Sequence, residues 1–309
     1  MTTPDVDEVK EPETTHRDVQ AILKRPIFVV GAPRSGTTWV QRMLLCHPEI
    51  GGGQESHFFG AFGGLLESFR SLDPNGESRR QVGLASYWTR DALKAKVLEI
   101  WVETFQSVLE RKPTARYLLE KTPDHALNIV QILDLLPQAR FIHVIRDSRA
   151  VVASLLAASR QEWGGFWAPS NVVSAANRWR RYVRSARDNC LKSNAPYMEI
   201  HYEDLRRDGA AGLQRLFEFI GVECPEAQRR QIVEDQDFAK QKQIGGTPIE
   251  VSGAFESKAL KEPAGFFRRG EVDSWKRELS PLQKLIVWNQ TRTLMHHYGY
   301  TRKGDIPNY

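Results

Sequence analysis

The chain has 309 residues, 41% of them apolar and 26% charged, which describes a globular protein large enough to bury a sizeable core. A net charge of +5 suits anionic small ligands, but no dense basic stripe with interleaved aromatics occurs, so no nucleic-acid partner is expected. Three scattered cysteines, Cys46, Cys190 and Cys224, form no C-x-x-C pair, which argues against a disulfide framework and against a zinc site.

Residues 1–24 are polar and read as a flexible tail without the apolar stretch of a signal peptide. No later run reaches 18 uninterrupted apolar residues, so the expectation is a cytoplasmic protein with no membrane span. Residues 25–309 read as a single domain, with loop insertions near 51–90 and 245–265 where glycine and proline accumulate and periodicity fades. Apolar runs at 27–30, 116–119, 141–145 and 198–201 are bounded by turn residues and read as strands. Helical periods follow at 37–46, at 124–137 with Asp124 as N-cap, at 150–158, 171–190, 210–220 and 281–297. Strands alternating with helices predict an α/β fold: a P-loop-type, doubly wound, mostly parallel central sheet flanked by helices. Ligands of such sheets bind at the carboxyl ends of the strands.

The first of those ends carries Gly31-Ala-Pro-Arg-Ser-Gly-Thr-Thr38. The glycine spacing is that of a nucleotide phosphate loop, but Thr37 stands where the lysine of the ATP- and GTP-binding version belongs, and Arg34 sits inside the loop. Ser35, Gly36, Thr37 and Thr38 would supply donors at a helix N-terminus, and Arg34 a forked cation for phosphate or sulfate oxygens. Trp39 is either core or a stacking surface for a base. A second anion site is expected where Arg146 ends the third strand and Ser154 lies two helical turns beyond it. A third basic cluster comprises Arg268, Arg269 and Gly270, followed by Trp275-Lys276. Trp163, Phe166 and Trp167, with Phe58, Phe59 and Phe62, could wall an apolar pocket or lie in the core.

Taken together, these motifs resemble the sulfotransferases that use 3′-phosphoadenosine 5′-phosphosulfate (PAPS), over roughly residues 25 to 300. GAPRSGTTW is similar to the family's 5′-phosphosulfate loop, and the spacing from Arg146 to Ser154 is similar to its 3′-phosphate element. The stretch from Arg268 to Lys276 resembles the C-terminal R-K-G-x-x-G-D-W-K, with Asp273-Ser274 in place of Gly-Asp. The resemblance implies that Tyr202 and Phe238 hold the adenine, that PAPS is the co-substrate and that no metal takes part. Pro123 occupies the position of the histidine base of many members, in Lys121-Thr-Pro-Asp-His125. The tyrosylprotein branch instead uses a glutamate after the first helix, which implies Glu55 as general base, with Lys121 as the cation beside the transferred group and Arg34 neutralising the departing 5′-phosphate. His57 and His125 remain rival bases.

The partner expected is a small-molecule hydroxyl acceptor, apolar or aromatic; the oligomeric state is not legible. Two other readings stay open. One is an ATP- or GTP-dependent P-loop kinase in which Glu203 and Asp204 hold magnesium, and the other is a non-catalytic nucleotide-binding module.

Overall fold

The structure is a computed structural model that describes residues 18–72, 86–244 and 270–304, with 249–250, 259–260, 263 and 265–266 between them. Its centre is a parallel sheet of β1 (Ile27–Gly31), β2 (Ile50–Gly52), β3 (Tyr117–Glu120), β4 (Arg140–Ile145) and β5 (Tyr197–His201), in the order β2-β3-β1-β4-β5. Every residue of β1 is buried, as a parallel strand covered on both faces requires. Its side chains alternate between the two faces. Phe28 and Val30 enter one apolar layer with Trp101 and Phe141, while Ile27 and Val29 enter the other with Met43, Leu213 and Phe217.

The first layer is covered by α1 (Val19–Leu23), α3 (Phe58–Leu72), α4 (Arg90–Glu110), α5 (Ile129–Leu135), α6 (Ser148–Ala158), α7 (Val172–Lys192), α12 (Trp275–Glu278) and α13 (Pro281–His297). The second is covered by α2 (Thr37–Leu45), α8 (Tyr202–Arg207), α9 (Gly209–Ile220) and α10 (Glu226–Asp235), and α11 (Phe238–Ile244) follows them in the chain. A two-stranded antiparallel ladder, β6 (Ile249–Glu250) with β7 (Ala259–Leu260), completes the described elements. The helix ends follow local chemistry. Asp147 caps α6 by accepting from the Arg149 amide, and α13 opens on a capping box between Ser280 and Gln283 with Pro281 in its first turn. Among the described residues, no helix is long and apolar enough to cross a membrane.

Three expectations are corrected. The described part of the region near 51–90 holds part of β2, all of α3 and the start of α4 rather than a loop alone; the glycines at 60, 63 and 64 mask a helix whose Phe58, Phe59, Leu66 and Phe69 face the core. The predicted N-terminal tail ends in α1, whose Ile22 and Leu23 are buried, while residues 1–17 lie outside the described residues. The helix expected at 124–137 is broken. Pro123–Leu127 forms a 3-10 turn, and α5 begins after Asn128, so Asp124 is not its N-cap.

This topology places the site. From β1 the chain runs towards β2 and β3 on one side, then towards β4 and β5 on the other, so the loops after β1 and β4 flank the reversal point.

Candidate active site

The loop after β1 uses two left-handed residues, Arg34 at φ 75° and Gly36 at φ 101°. Gly36 stands at the N-terminus of α2, which has no side-chain cap, and Thr37, Thr38 and Trp39 of its first turn line a cavity of about 710 Å³. A Cβ at Gly36 would lie 2.5 Å from the Tyr202 ring, so only glycine lets this aromatic close over the loop. Tyr202 donates its hydroxyl to the Gly270 carbonyl at 2.7 Å and meets Trp39 edge to face at 5.6 Å. Phe238 approaches Gly270 so closely that a Cβ there would sit 2.6 Å from its ring. The three aromatics form the wall at one end of the cavity.

Ser35 departs from the expected pattern. It is fully buried, its amide donates to the Ala32 carbonyl within the turn, and it does not line the cavity. Arg268 and Arg269 lie outside the described residues.

Two arginines converge on the loop from neighbouring strand ends. Arg34 Nε donates to Ser154 Oγ at 3.2 Å, Arg34 Nη2 donates to the Phe266 carbonyl at 2.7 Å, and its guanidinium lies 4.4 Å over the Phe266 ring. Arg146 is buried, donates to the carbonyls of Arg34 and Glu271, and lies 4.1 Å over Tyr202. Its own neighbour Asp147 is engaged elsewhere, held by Arg149 through Nε and Nη2. Arg146 therefore has only carbonyl acceptors, its Nε is buried without a partner, and no carboxylate among the described residues comes within ion-pair distance. A buried cation facing neutral groups is costly unless an anion joins it.

At the end of β3, Glu120 and Lys121 point to opposite sides, as consecutive residues of a strand do. Glu120 is fully buried; it accepts from the Ser56 amide and hydroxyl and from Thr122, and it binds His125 Nδ1 at 2.7 Å. Lys121 instead donates to Glu55 Oε1 and, at 3.1 Å, to Thr38 Oγ1, which joins the loop after β2 to the first turn of α2. Burial pushes the Glu55 carboxyl up, but the charge of Lys121 together with His57 outweighs it and holds Glu55 at about 2.

His57 has φ 50°, with Nε2 3.5 Å from Glu55 Oε2 and Nδ1 4.0 Å from Asp124 Oδ2. The hydrogen-bonding Glu55 carboxylate raises its pKa against the opposing effect of burial. His125, the other rival base, is fully buried with Nδ1 on Glu120 and Nε2 accepting from the Phe59 amide at 3.3 Å, so no ring nitrogen is left for a substrate.

Trp163, Phe166 and Trp167 also line the cavity, with Trp163 5.5 Å from the Arg34 guanidinium, and Asp124, Tyr182 and Arg178 line it too. Tyr182 donates to Asp124 Oδ1 at 2.5 Å, and Arg178 Nη1 to the Trp167 carbonyl at 2.6 Å. Phe58, Phe59 and Phe62 do not belong to this wall. They pack with one another, and Phe58 and Phe59 also meet Trp101 in the core. The carboxylates of the kinase reading are engaged as well: Glu203 accepts from the Asp147 amide and the Tyr300 hydroxyl, Asp204 pairs with Arg207, and neither lines the cavity.

Sequence reasoning missed Glu120 as the anchor of the Glu55 loop, and Gln41, whose side chain donates to the Gly53 carbonyl at 2.8 Å. The period-2 rule applied to Glu120-Lys121 would have separated their roles.

A family model described as the sulfotransferase family matches residues 26–226. The chain belongs to the sulfotransferase family. Protein-tyrosine sulfotransferase 1 of Danio rerio is 25% identical to this sulfotransferase over 196 residues, covering 63% of this chain and 53% of the relative, so the match spans about half of that protein's length. Protein-tyrosine sulfotransferase A of Caenorhabditis elegans is 25% identical over 287 residues, covering 92% of this chain and 69% of the relative. Among solved structures, the sulfotransferase domain from the curacin biosynthetic pathway superposes with a TM-score of 0.55 at 17% identity, covering 91% of this chain and 98% of that one. Mouse sulfotransferase SULT7A1 complexed with PAP gives a TM-score of 0.56 at 15% identity, covering 91% and 90%. These two likenesses establish the P-loop-type α/β fold of the sulfotransferase chain.

Proposed function

We propose that the protein transfers the sulfuryl group of PAPS to the hydroxyl of a small apolar or aromatic acceptor. The observation that carries the reading is the juxtaposition, in one cavity, of the buried Arg146, whose Nε has no hydrogen-bond partner, with the Lys121–Glu55 pair. The residues present fit the donor: Arg146, Ser154 and Arg34 would hold its phosphates, the amides of Gly36, Thr37 and Thr38 would add hydrogen bonds, and Trp39, Tyr202 and Phe238 would flank the base. The names of the curated relatives support sulfuryl transfer, and the PAP complex of a structural neighbour agrees with this donor.

Sulfuryl transfer resembles phosphoryl transfer, in which catalysis is mostly positioning and charge stabilisation. The acceptor oxygen bonds to sulfur while the bond from sulfur to the 5′-phosphate oxygen breaks, and the electron pair leaves on that phosphate. Arg34 and the loop amides stabilise the departing charge. Lys121 turns from Glu55 to the transferred oxygens, and Glu55, relieved of the cation that depresses it most, accepts the acceptor proton. General-base assistance of this kind contributes about 10²–10⁴-fold.

Thermal shift with adenosine 3′,5′-bisphosphate tests the donor assignment. A ligand at 100 times its Kd adds about 2.7 kcal/mol of stability, which is readily seen as a rise in Tm. Stabilisation by ATP with magnesium but none by the bisphosphate would overturn the reading in favour of a kinase.

A further inference from the structure

The geometry points to His57 as a positioning residue, an imidazolium clamp that spans Glu55 and Asp124 and becomes the counter-ion of Glu55 when Lys121 turns to the donor. This rests on the sulfotransferase reading given above. Glu55 divides its two oxygens, Oε1 facing Lys121 and Oε2 facing His57 at 3.5 Å. If Lys121 alone fixed the carboxylate, its departure towards the donor would leave Glu55 unanchored at the moment its orientation matters. His57 lies on the opposite side and is not displaced by that movement.

Two features show a built arrangement. The His57 ring lies between carboxylates on two different elements, Glu55 in the loop after β2 and Asp124 in the 3-10 turn. A carboxylate oxygen lies towards each ring nitrogen at ion-pair distance, 3.5 Å and 4.0 Å, an arrangement that favours the imidazolium with its two N–H groups over either neutral tautomer. The backbone is fixed as well, with the His57 amide donating to Thr122 Oγ1 at 3.3 Å and φ at 50° in the left-handed region. Asp124 is itself anchored by the Tyr182 hydroxyl. The groups around the ring are Glu55, Asp124, Glu120 and Lys121, with Tyr182 and Arg178 of α7 beyond Asp124. The carboxylates favour the charged ring, in accord with the upward shift of its pKa.

The clamp makes two demands that a merely exposed histidine would not meet. In the NMR pH titration of the whole chain, with the His57 signal assigned by its loss in His57→Asn, the wild-type ring titrates above the ordinary histidine value and drops by at least half a unit in Glu55→Gln. Saturating PAPS without acceptor raises it further, because Lys121 no longer shares the charge of Glu55. An unchanged titration in both comparisons overturns the clamp, and this readout needs no turnover, so it separates failure of the clamp from failure of the transferase reading. With an acceptor found, His57→Asn, which tolerates the left-handed backbone, lowers kcat about 5–10-fold with the KM for PAPS unchanged. His57→Lys restores most of the rate and removes the loss of activity at alkaline pH that deprotonation of the clamp causes. Wild-type kcat in His57→Asn, or an alkaline limb that persists in His57→Lys, also overturns the proposal.

Discussion

Lys121 turns away from its chain neighbour Glu120 and binds Glu55, 66 residues earlier in the chain. The strand pleat enforces this choice, because it sends the two side chains to opposite sides of β3. One consequence is a carboxylate and a cation held side by side at the loop after β1, and another is a carboxylate that is weakly basic while the cation stays.

Glu55→Gln keeps the size and most of the hydrogen bonding of the side chain but cannot take a proton. Turnover is expected to fall at least tenfold, with the affinity for adenosine 3′,5′-bisphosphate within about twofold of the wild type. Single-turnover kinetics alongside calorimetric titration separates the two quantities. Near-normal turnover would move the role of base away from Glu55.

Arg146→Ala removes a buried cation that has no ion-pair partner among the described residues. Charge-assisted hydrogen bonds contribute about 1.5–3 kcal/mol, so the bisphosphate should bind about 10–100-fold more weakly. Adenosine 5′-phosphate, which lacks the 3′-phosphate, should lose far less. Equal losses for both ligands would argue that Arg146 acts on the loop through its bond to the Arg34 carbonyl instead.

Gly36→Ala places a methyl group against the Tyr202 ring at a backbone angle that alanine disfavours. A cost of about 1–3 kcal/mol in stability is expected from the strain. Urea unfolding measures it, and bisphosphate binding should weaken in parallel because loop and aromatic wall are displaced together. A fully stable variant would show that Tyr202 can swing away freely.

Glu203 gives a pH signature independent of turnover. Burial lifts its carboxyl to about 7, against an ordinary value of 4.5, despite the Asp147 amide and the Tyr300 hydroxyl. A folded-state pKa raised above the unfolded value favours the native state fully below about pH 4.5, and that contribution is lost as pH rises through 7. Glu203→Gln should therefore flatten the fall in stability between pH 5 and 8, a change of up to about 3 kcal/mol at 1.36 kcal/mol per unit. Chemical denaturation across that range reads it, and parallel wild-type and variant curves would refute it.

The loop after β1 and the arginine after β4 were legible because they depend on local signals: a strand, a glycine turn and a helix N-terminus written consecutively at Gly31 to Thr38, and Arg146 directly after β4. The α/β class followed from the same alternation of patterns. What escaped was set by tertiary partners. The glycines of α3 suggested a loop because their helical context comes from packing Phe58 and Phe59 against Trp101. His125 looked like a rival base because nothing local announces that Glu120 and the Phe59 amide occupy both of its nitrogens. The 3-10 turn at Pro123–Leu127 was hidden behind an apolar spacing that continues through it, although Pro123 itself was a signal of a break.

The pairing of Asp147 with Arg149 has a consequence for encounter as well as for binding. By engaging both carboxylate oxygens of Asp147, Arg149 leaves Arg146 without an ion pair to its sequence neighbour, and a charge in a low-dielectric cleft acts beyond contact distance. On the donor reading proposed above, a polyanionic nucleotide is drawn in from beyond contact distance, and its association rate falls as ionic strength shortens the Debye length.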